Sequence, residues 1–148
     1  MKTLCFDSPL GKLSIGEENG ALVFLRFGGP ESADETPLLL ETKRQILEYF
    51  AGRRKSFDVP LCTQGTAFQK RVWDAMTQIP YGETRSYSQI AEQIGSPRAC
   101  RAVGTACNRN PIAIIVPCHR VIGASGMLVG YEYGLDAKKY LLSLEKMY

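Results

Sequence analysis

The stretch SYSQIAEQIGSPRACRAVG, residues 86–104, carries two helix starts separated by a break. Ser86 stands three residues before Gln89, the spacing of a capping box in which a hydroxyl and an amide satisfy free backbone donors. Ile90, Ala91 and Ile94 then give a short helix closed by Gly95. Ser96 caps a further helix whose first position, Pro97, needs no N–H. A short helix, a Gly-Ser break and a second helix make a helix-turn-helix, whose second helix lies along a nucleic-acid groove. In that second helix Ala99, Cys100, Ala102, Gly104 and Ala106 are small, and Arg98 and Arg101 are long. Such a face permits close approach to a ligand backbone, and small residues serve a tightly packed core helix equally well.

Working outward, Thr66 and Gln69 repeat the capping box, with Phe68, Val72 and Met76 as the apolar stripe and Pro80 and Gly82 as the stop. Residues 53–65 are a connector carrying Pro60, and the boundary between two subdomains falls there, giving 1–60 and 61–148. Before it, residues 3–6, 13–16 and 21–27 read as strands, with Asn19-Gly20 as a tight hairpin turn. Residues 28–37 form a loop, and 38–50 a helix with Leu39, Ile46, Leu47 and Phe50 at helical spacing, ended by Gly52. The fold class is therefore α+β: a small N-terminal sheet plus helix, then a mostly helical, winged-helix-like helix-turn-helix domain. Beyond Asn110-Pro111, residues 112–116 read as a short buried strand that delivers Pro117-Cys118-His119-Arg120.

A length of 148 residues with 45% hydrophobic and 22% charged residues supports a folded core and excludes disorder or a fibrous repeat. The apolar runs fall far short of the roughly 20 residues a membrane-spanning helix needs, and no signal peptide is expected at Met1. Five cysteines at irregular spacings (Cys5, Cys62, Cys100, Cys107, Cys118) argue for reduced thiols in a reducing compartment. The expected location is cytoplasmic, or nuclear in a eukaryote. Residues 1–60 carry 8 basic and 9 acidic groups, and 61–148 carry 10 and 6. Between Glu92 and Glu132 there is no acid, while Arg98, Arg101, Arg109 and Arg120 fall in that span. Such a window is a phosphate-facing surface or an ordinary solvated face.

Cys118 adjoins the chain's single histidine, His119. Thiolate is the nucleophilic form of cysteine, and a neighbouring imidazole and arginine favour it. A lone cysteine is more often a small core residue. Adjacent side chains project apart, so His119 is expected to act through a water.

The residues around this pair carry a resemblance. Arg101-Ala102-Val103-Gly104, Asn110-Pro111-Ile112, Val116 through Ile122, Gly126, Gly130-Tyr131 and Gly134-Leu135 with Lys138 and Leu141-Leu142 resemble the O6-alkylguanine-DNA alkyltransferases, the methylated-DNA-protein-cysteine methyltransferases. The likeness extends upstream through Gly65 to Gln69, Val72-Trp73, Ile79 to Gly82 and Ser86-Tyr87. The opening strands and helix are similar to that family's N-terminal domain, a reduced ribonuclease-H-like fold.

What the resemblance implies is direct repair of double-stranded DNA containing O6-alkylguanine, or O4-alkylthymine, by one irreversible transfer of the alkyl group to Cys118. His119 and Glu145 would form a Glu-His-water-Cys network. Tyr87 matches the tyrosine that aids the leaving guanine, and Arg101 the finger that fills the space of the flipped nucleotide. Ser96, Arg98, Ala99, Ala102 and Arg120 complete the DNA-facing set, and the recognition helix enters the minor groove. Asn110 matches the hinge that ties that helix to the active-site turn. Val121 would offer a carbonyl to the base's amino group, and Leu128, Tyr131, Tyr133 and Cys107 would shape the pocket. Glu132 would offer its N–H toward O6, and its acidity beside DNA is a departure. No cofactor and no metal are expected, since Cys5 and Cys62 are isolated and His119 stands alone. One active cysteine makes a monomer sufficient. The rival readings are a lesion-binding relative, disfavoured by Cys118, a DNA-binding regulator with a redox cysteine, and a thiol hydrolase.

Overall fold

Asn19 and Gly20 take φ of 53° and 81°, the paired positive values of a two-residue hairpin turn. They join β2 (Gly11–Glu18) to β3 (Ala21–Phe27), and β1 (Lys2–Ser8) pairs antiparallel with β2 on its other side. The computed structural model describes residues 1–128 and 130–148. Leu4, Phe6, Leu13, Ile15, Leu22 and Leu25 are buried from the three strands, under α1 (Pro37–Phe50) with Leu39, Ile46, Tyr49 and Phe50. Each such side chain contributes about 1.5–3 kcal/mol when fully buried. Thr36 caps α1 by accepting the Leu39 N–H, and Gly52 at φ 75° turns the chain out of it. These elements belong to a unit comprising Met1–Gln64, Pro111–Ala113 and Tyr148. Residues 60–62 are drawn into it by β3, whose Leu22 exchanges backbone hydrogen bonds with Pro60 and Cys62.

The second unit is Gly65–Asn110 with Ile114–Met147. Here α2 (Ala67–Thr77) and α3 (Tyr87–Gln93) each begin with a complete capping box, Thr66 with Gln69 and Ser86 with Gln89. The Trp73 indole donates to the Ala106 carbonyl at 2.9 Å, tying α2 to α4 (Cys100–Asn108). β4 (Arg85–Ser86) and β5 (Val121–Ile122) form a short parallel pair, and α5 (Leu135–Met147) completes the unit. Among the described residues no helix is long and apolar enough to cross a membrane.

Two local expectations are corrected. Ser96 does not cap the second helix of the helix-turn-helix, because α4 starts only at Cys100 and its N-cap, Ala99, makes no side-chain bond. Residues 96–99 instead close a turn through Ala99 N–H to Ser96 O at 2.9 Å, and a proline suits the second position of a turn as well as the first of a helix. Residues 112–116 are buried but form no strand. Ile112 makes one parallel bridge to Leu25, and Ile114 then adopts φ 71°, a left-handed backbone that a β-branched residue takes only when its surroundings impose it. The run therefore ends as a turn that feeds Pro117 and the 3-10 turn Cys118–Arg120.

Candidate active site

Asn110, the residue that follows α4 and its C-cap, sits buried against the turn. Its amide donates to the Val116 carbonyl at 2.8 Å and to Cys118 Sγ at 3.3 Å. The Cys118 N–H bonds back to Val116 O at 2.8 Å and Arg120 N–H to Pro117 O at 3.0 Å, so the turn is closed on itself. Cys118 is buried, and burial pushes its thiol up to about 11 against the opposing pull of the Asn110 hydrogen bond and Lys138. The resting group is a thiol. The expectation that His119 and Arg120 hold it as thiolate is corrected, for both side chains turn to Glu145.

His119 is fully buried, and its Nε2 lies 2.6 Å from Glu145 Oε2. Its Nδ1 is buried with no hydrogen-bond partner among the described residues. With a carboxylate accepting at Nε2, the proton belongs on Nε2 and the lone pair on Nδ1. Burial holds the imidazole below its ordinary value, although the Glu145 bond works the other way. Glu145 lies on α5, two helical turns beyond Lys138, a spacing that puts both on one helix face.

Arg120 does not face solvent. It is 7% exposed, donating from Nε to Glu145 Oε1 at 2.7 Å, from Nη2 to Oε2 at 3.1 Å and from Nη1 to the Ile79 carbonyl at 2.7 Å. Its assignment to the DNA-facing set is therefore corrected: the neutralising carboxylate is Glu145, which lies outside the acid-free window and is brought in by α5.

Lys138 is a site residue that the reading of single residues missed. It is fully buried, its ammonium donating to Val121 O at 2.5 Å and Gly130 O at 3.1 Å and lying 5.8 Å from the Tyr87 ring centre. Burial pulls it below the usual lysine value. The Val121 carbonyl thus already accepts one hydrogen bond and keeps a second lone pair for a ligand.

Tyr87 opens α3, its hydroxyl 3.5 Å from Gly130 O, and burial pushes the phenol up to about 12. Tyr131 and Tyr133 stack edge to face at 5.8 Å, and burial followed by the nearby Cys118 raises the Tyr131 phenol. Leu128 is half-buried, Glu132 is exposed, and the Glu132 charge acts against ionisation of Cys118. Cys107 is buried on α4 with its thiol 3.4 Å from Met76 Sδ, pushed up to about 12 by burial and then by Cys118. On the outer side, Arg98, Arg101 and Ala102 are exposed and Ser96 and Ala99 half-exposed. Among the described residues no carboxylate pairs with Arg98 or Arg101. No group of three or more metal-ligating side chains forms among the described residues. Chemically, one turn presents a neutral buried thiol at Cys118 and, at His119, an oriented imidazole whose Nδ1 lone pair has no partner among the described residues, groups able to serve as nucleophile and general base.

Comparison with known proteins bears on which electrophile that sulfur meets. Residues 67–147 match the 6-O-methylguanine DNA methyltransferase DNA binding domain, and residues 1–63 match the ribonuclease-like domain of the same family. The chain is 52% identical over 148 residues to the methylated-DNA--protein-cysteine methyltransferase of Methanosarcina acetivorans, covering 95% of each. It is 46% identical over 153 residues to the constitutive enzyme of that name from Bacillus subtilis, covering 95% of this chain and 93% of that one. The crystal structure of Mycobacterium tuberculosis OGT in complex with DNA superposes with a TM-score of 0.93 at 48% identity, covering 99% of this chain and 94% of that one.

Proposed function

The chain belongs to the 6-O-methylguanine DNA methyltransferase family, and from that premise we propose that Cys118 is the cysteine that receives the alkyl group. The protein repairs DNA by alkyl transfer to a cysteine and acts as a methylated-DNA-[protein]-cysteine S-methyltransferase on double-stranded DNA carrying O6-alkylguanine. The observation that carries the assignment is the buried Cys118 thiol, held by Asn110, on the same turn as His119, whose Nε2 lies 2.6 Å from Glu145 Oε2.

The Cys118 sulfur attacks the alkyl carbon of the flipped base. Its proton passes through a water to His119 Nδ1, the S–C bond forms, and the C–O6 bond breaks with its electron pair on the guanine. Tyr87, protonated at neutral pH, donates to the departing base, so the guanine leaves neutral; the proton taken from the thiol rests on His119 and balances the one Tyr87 gives, and exchange with solvent restores both groups after the transfer. Displacement at an sp³ carbon needs no oxyanion hole. Leu128, Tyr131 and Tyr133 wall the base, the second lone pair of Val121 O takes its amino group, and the Glu132 N–H faces O6. Cys107 lies behind this pocket.

Arg101 fills the space the base leaves, with Arg98, Ser96, Ala99 and Ala102 against the adjoining backbone. Asn110 is the hinge that couples α4 to the Cys118 turn through its Val116 and Cys118 bonds. DNA binding and transfer both fall within residues 65–147. A thioether is not reversed by thiol exchange, so each molecule acts once, and a reducing compartment, cytoplasmic or nuclear, keeps Cys118 competent. The test is a stoichiometric endpoint. Excess duplex bearing one O6-methylguanine should methylate one equivalent of protein, whereas continued turnover would point to a thiol hydrolase and tight binding without transfer to a lesion sensor.

A further inference from the structure

Three ionisable side chains share one buried cluster beneath the active-site turn: His119 and Glu145, with side-chain exposures of 0% and 1%, and Arg120 at 8%. The guanidinium grips both oxygens of Glu145 and is itself anchored to the Ile79 carbonyl. Oε2 is shared, accepting from Arg120 Nη2 at 3.1 Å while lying 2.6 Å from His119 Nε2. The Tyr81 ring centre lies 5.6 Å from the guanidinium carbon. We propose that Arg120 is a positioning residue for alkyl transfer: its fork fixes Glu145 against His119, and its charge keeps the imidazole neutral with the Nδ1 lone pair free.

The argument is one of charge balance. Arginine stays protonated in proteins, so Glu145 already has its counter-ion. Protonating His119 would add an uncompensated positive charge to a buried site that also holds the Lys138 ammonium, at high desolvation cost. Without Arg120, an imidazolium would instead be the natural partner of Glu145, and the base would be spent before the substrate arrived. The charged groups acting on His119 are Glu145 and Lys138 from α5 and Arg120 from its own turn. The buried residues of α2, which packs on the same turn, are Val72, Trp73, Ala75 and Met76, none of which titrates. Burial is the main cause that lowers His119, and the charge of Arg120 adds to it in the same direction.

This inference rests on the proposed reading of Cys118 and is tested separately from it. The chain has a single histidine, so nitrogen-15 histidine labelling of the whole protein reports His119 without assignment. Between about pH 5 and 8 one protonated and one bare nitrogen, with Nε2 carrying the proton, is expected throughout. An imidazolium at neutral pH, or the opposite tautomer, overturns the proposal. Single-turnover transfer from an O6-methylguanine duplex is then followed against pH for wild type, Arg120→Lys and Arg120→Met. Arg120→Met should be slower at neutral pH by up to about 100-fold, the low end of what a positioned general base contributes, with the gap closing as pH rises. Arg120→Lys, which keeps the charge but not the fork, should keep the wild-type acid limb at a reduced rate. Duplex affinity should be unchanged in both. A loss of equal size at every pH in Arg120→Met, an acid limb in Arg120→Lys shifted like that of Arg120→Met, or a loss of duplex affinity in either variant contradicts the assignment. If wild-type Cys118 gains no alkyl group the functional reading fails, whereas alkylation of Cys118 with an imidazolium at position 119 sinks only the role of Arg120. Should Arg120→Met not fold, Arg120→Lys carries the test: a neutral His119 with the wild-type acid limb and a reduced rate supports the assignment, and a wild-type rate contradicts it.

Discussion

Arg101 and Arg120 lie nineteen positions apart in the same acid-free window, yet one stands exposed on α4 and the other is buried under the active-site turn. What separates them is where a carboxylate arrives from elsewhere in the chain. Glu145, carried in by α5, gives Arg120 a bidentate partner, and no carboxylate among the described residues meets Arg101. Local charge counts therefore describe α4 well and the turn badly. On the proposed reading, the exposed face meets phosphates and the buried cluster orients the general base.

The largest effect that would sharpen this contrast comes from Glu145→Ala. Removing the carboxylate strands a buried guanidinium and a buried imidazole, at an expected cost of about 3–5 kcal/mol in urea denaturation. A cost near zero would mean that the cluster is solvated and no different from the α4 face. A smaller effect follows from pH. His119 is held below the ordinary 6.5, so its contribution is fully present above that value and is lost as pH falls toward its folded value, because the unfolded chain takes up a proton that the native state refuses. Cys118, raised from 9.0 to about 11, contributes below 9 and loses its contribution as pH climbs to about 11. Stability by thermal melting should therefore peak between these limits, with a slope of at most about 1.4 kcal/mol per pH unit per group. The same melts on Cys118→Ser should flatten the alkaline side, and an unaltered alkaline slope would count against Cys118. Smallest in stability is Arg101→Ala, within about 0.5 kcal/mol, although transfer from duplex DNA should slow markedly while transfer from the free alkylated base should not. A large loss of stability in this variant would collapse the comparison.

Much of the fold was legible because its signals are local. The Asn19-Gly20 turn and the two capping boxes act within a few residues, and each is realised. Ser96-Pro97 misled because the same pair fits a turn and a helix start, and the choice was made by Ala99 bonding back to Ser96. The apolar run 112–116 misled because burial says nothing of backbone, and Ile114 turns left-handed. Within the site, the Cys118-His119 pair was visible as adjacent residues. Lys138 and the pairing of Arg120 with Glu145 were not, since both depend on how α5 packs on a turn far away in sequence. The seven-residue spacing of Lys138 and Glu145, with Leu141 between them, was the one signal that could have exposed that helix face.

The central claim is that Cys118 takes the alkyl group in a single irreversible transfer. Intact and peptide mass spectrometry after mixing the protein with a duplex containing one O6-methylguanine, alongside Cys118→Ser, tests it most directly. The account predicts one added methylene unit on the peptide bearing Cys118, an equimolar endpoint, and no gain in the variant. A gain on Cys100, Cys107 or another residue, or an unmodified Cys118 with the lesion intact, would contradict it.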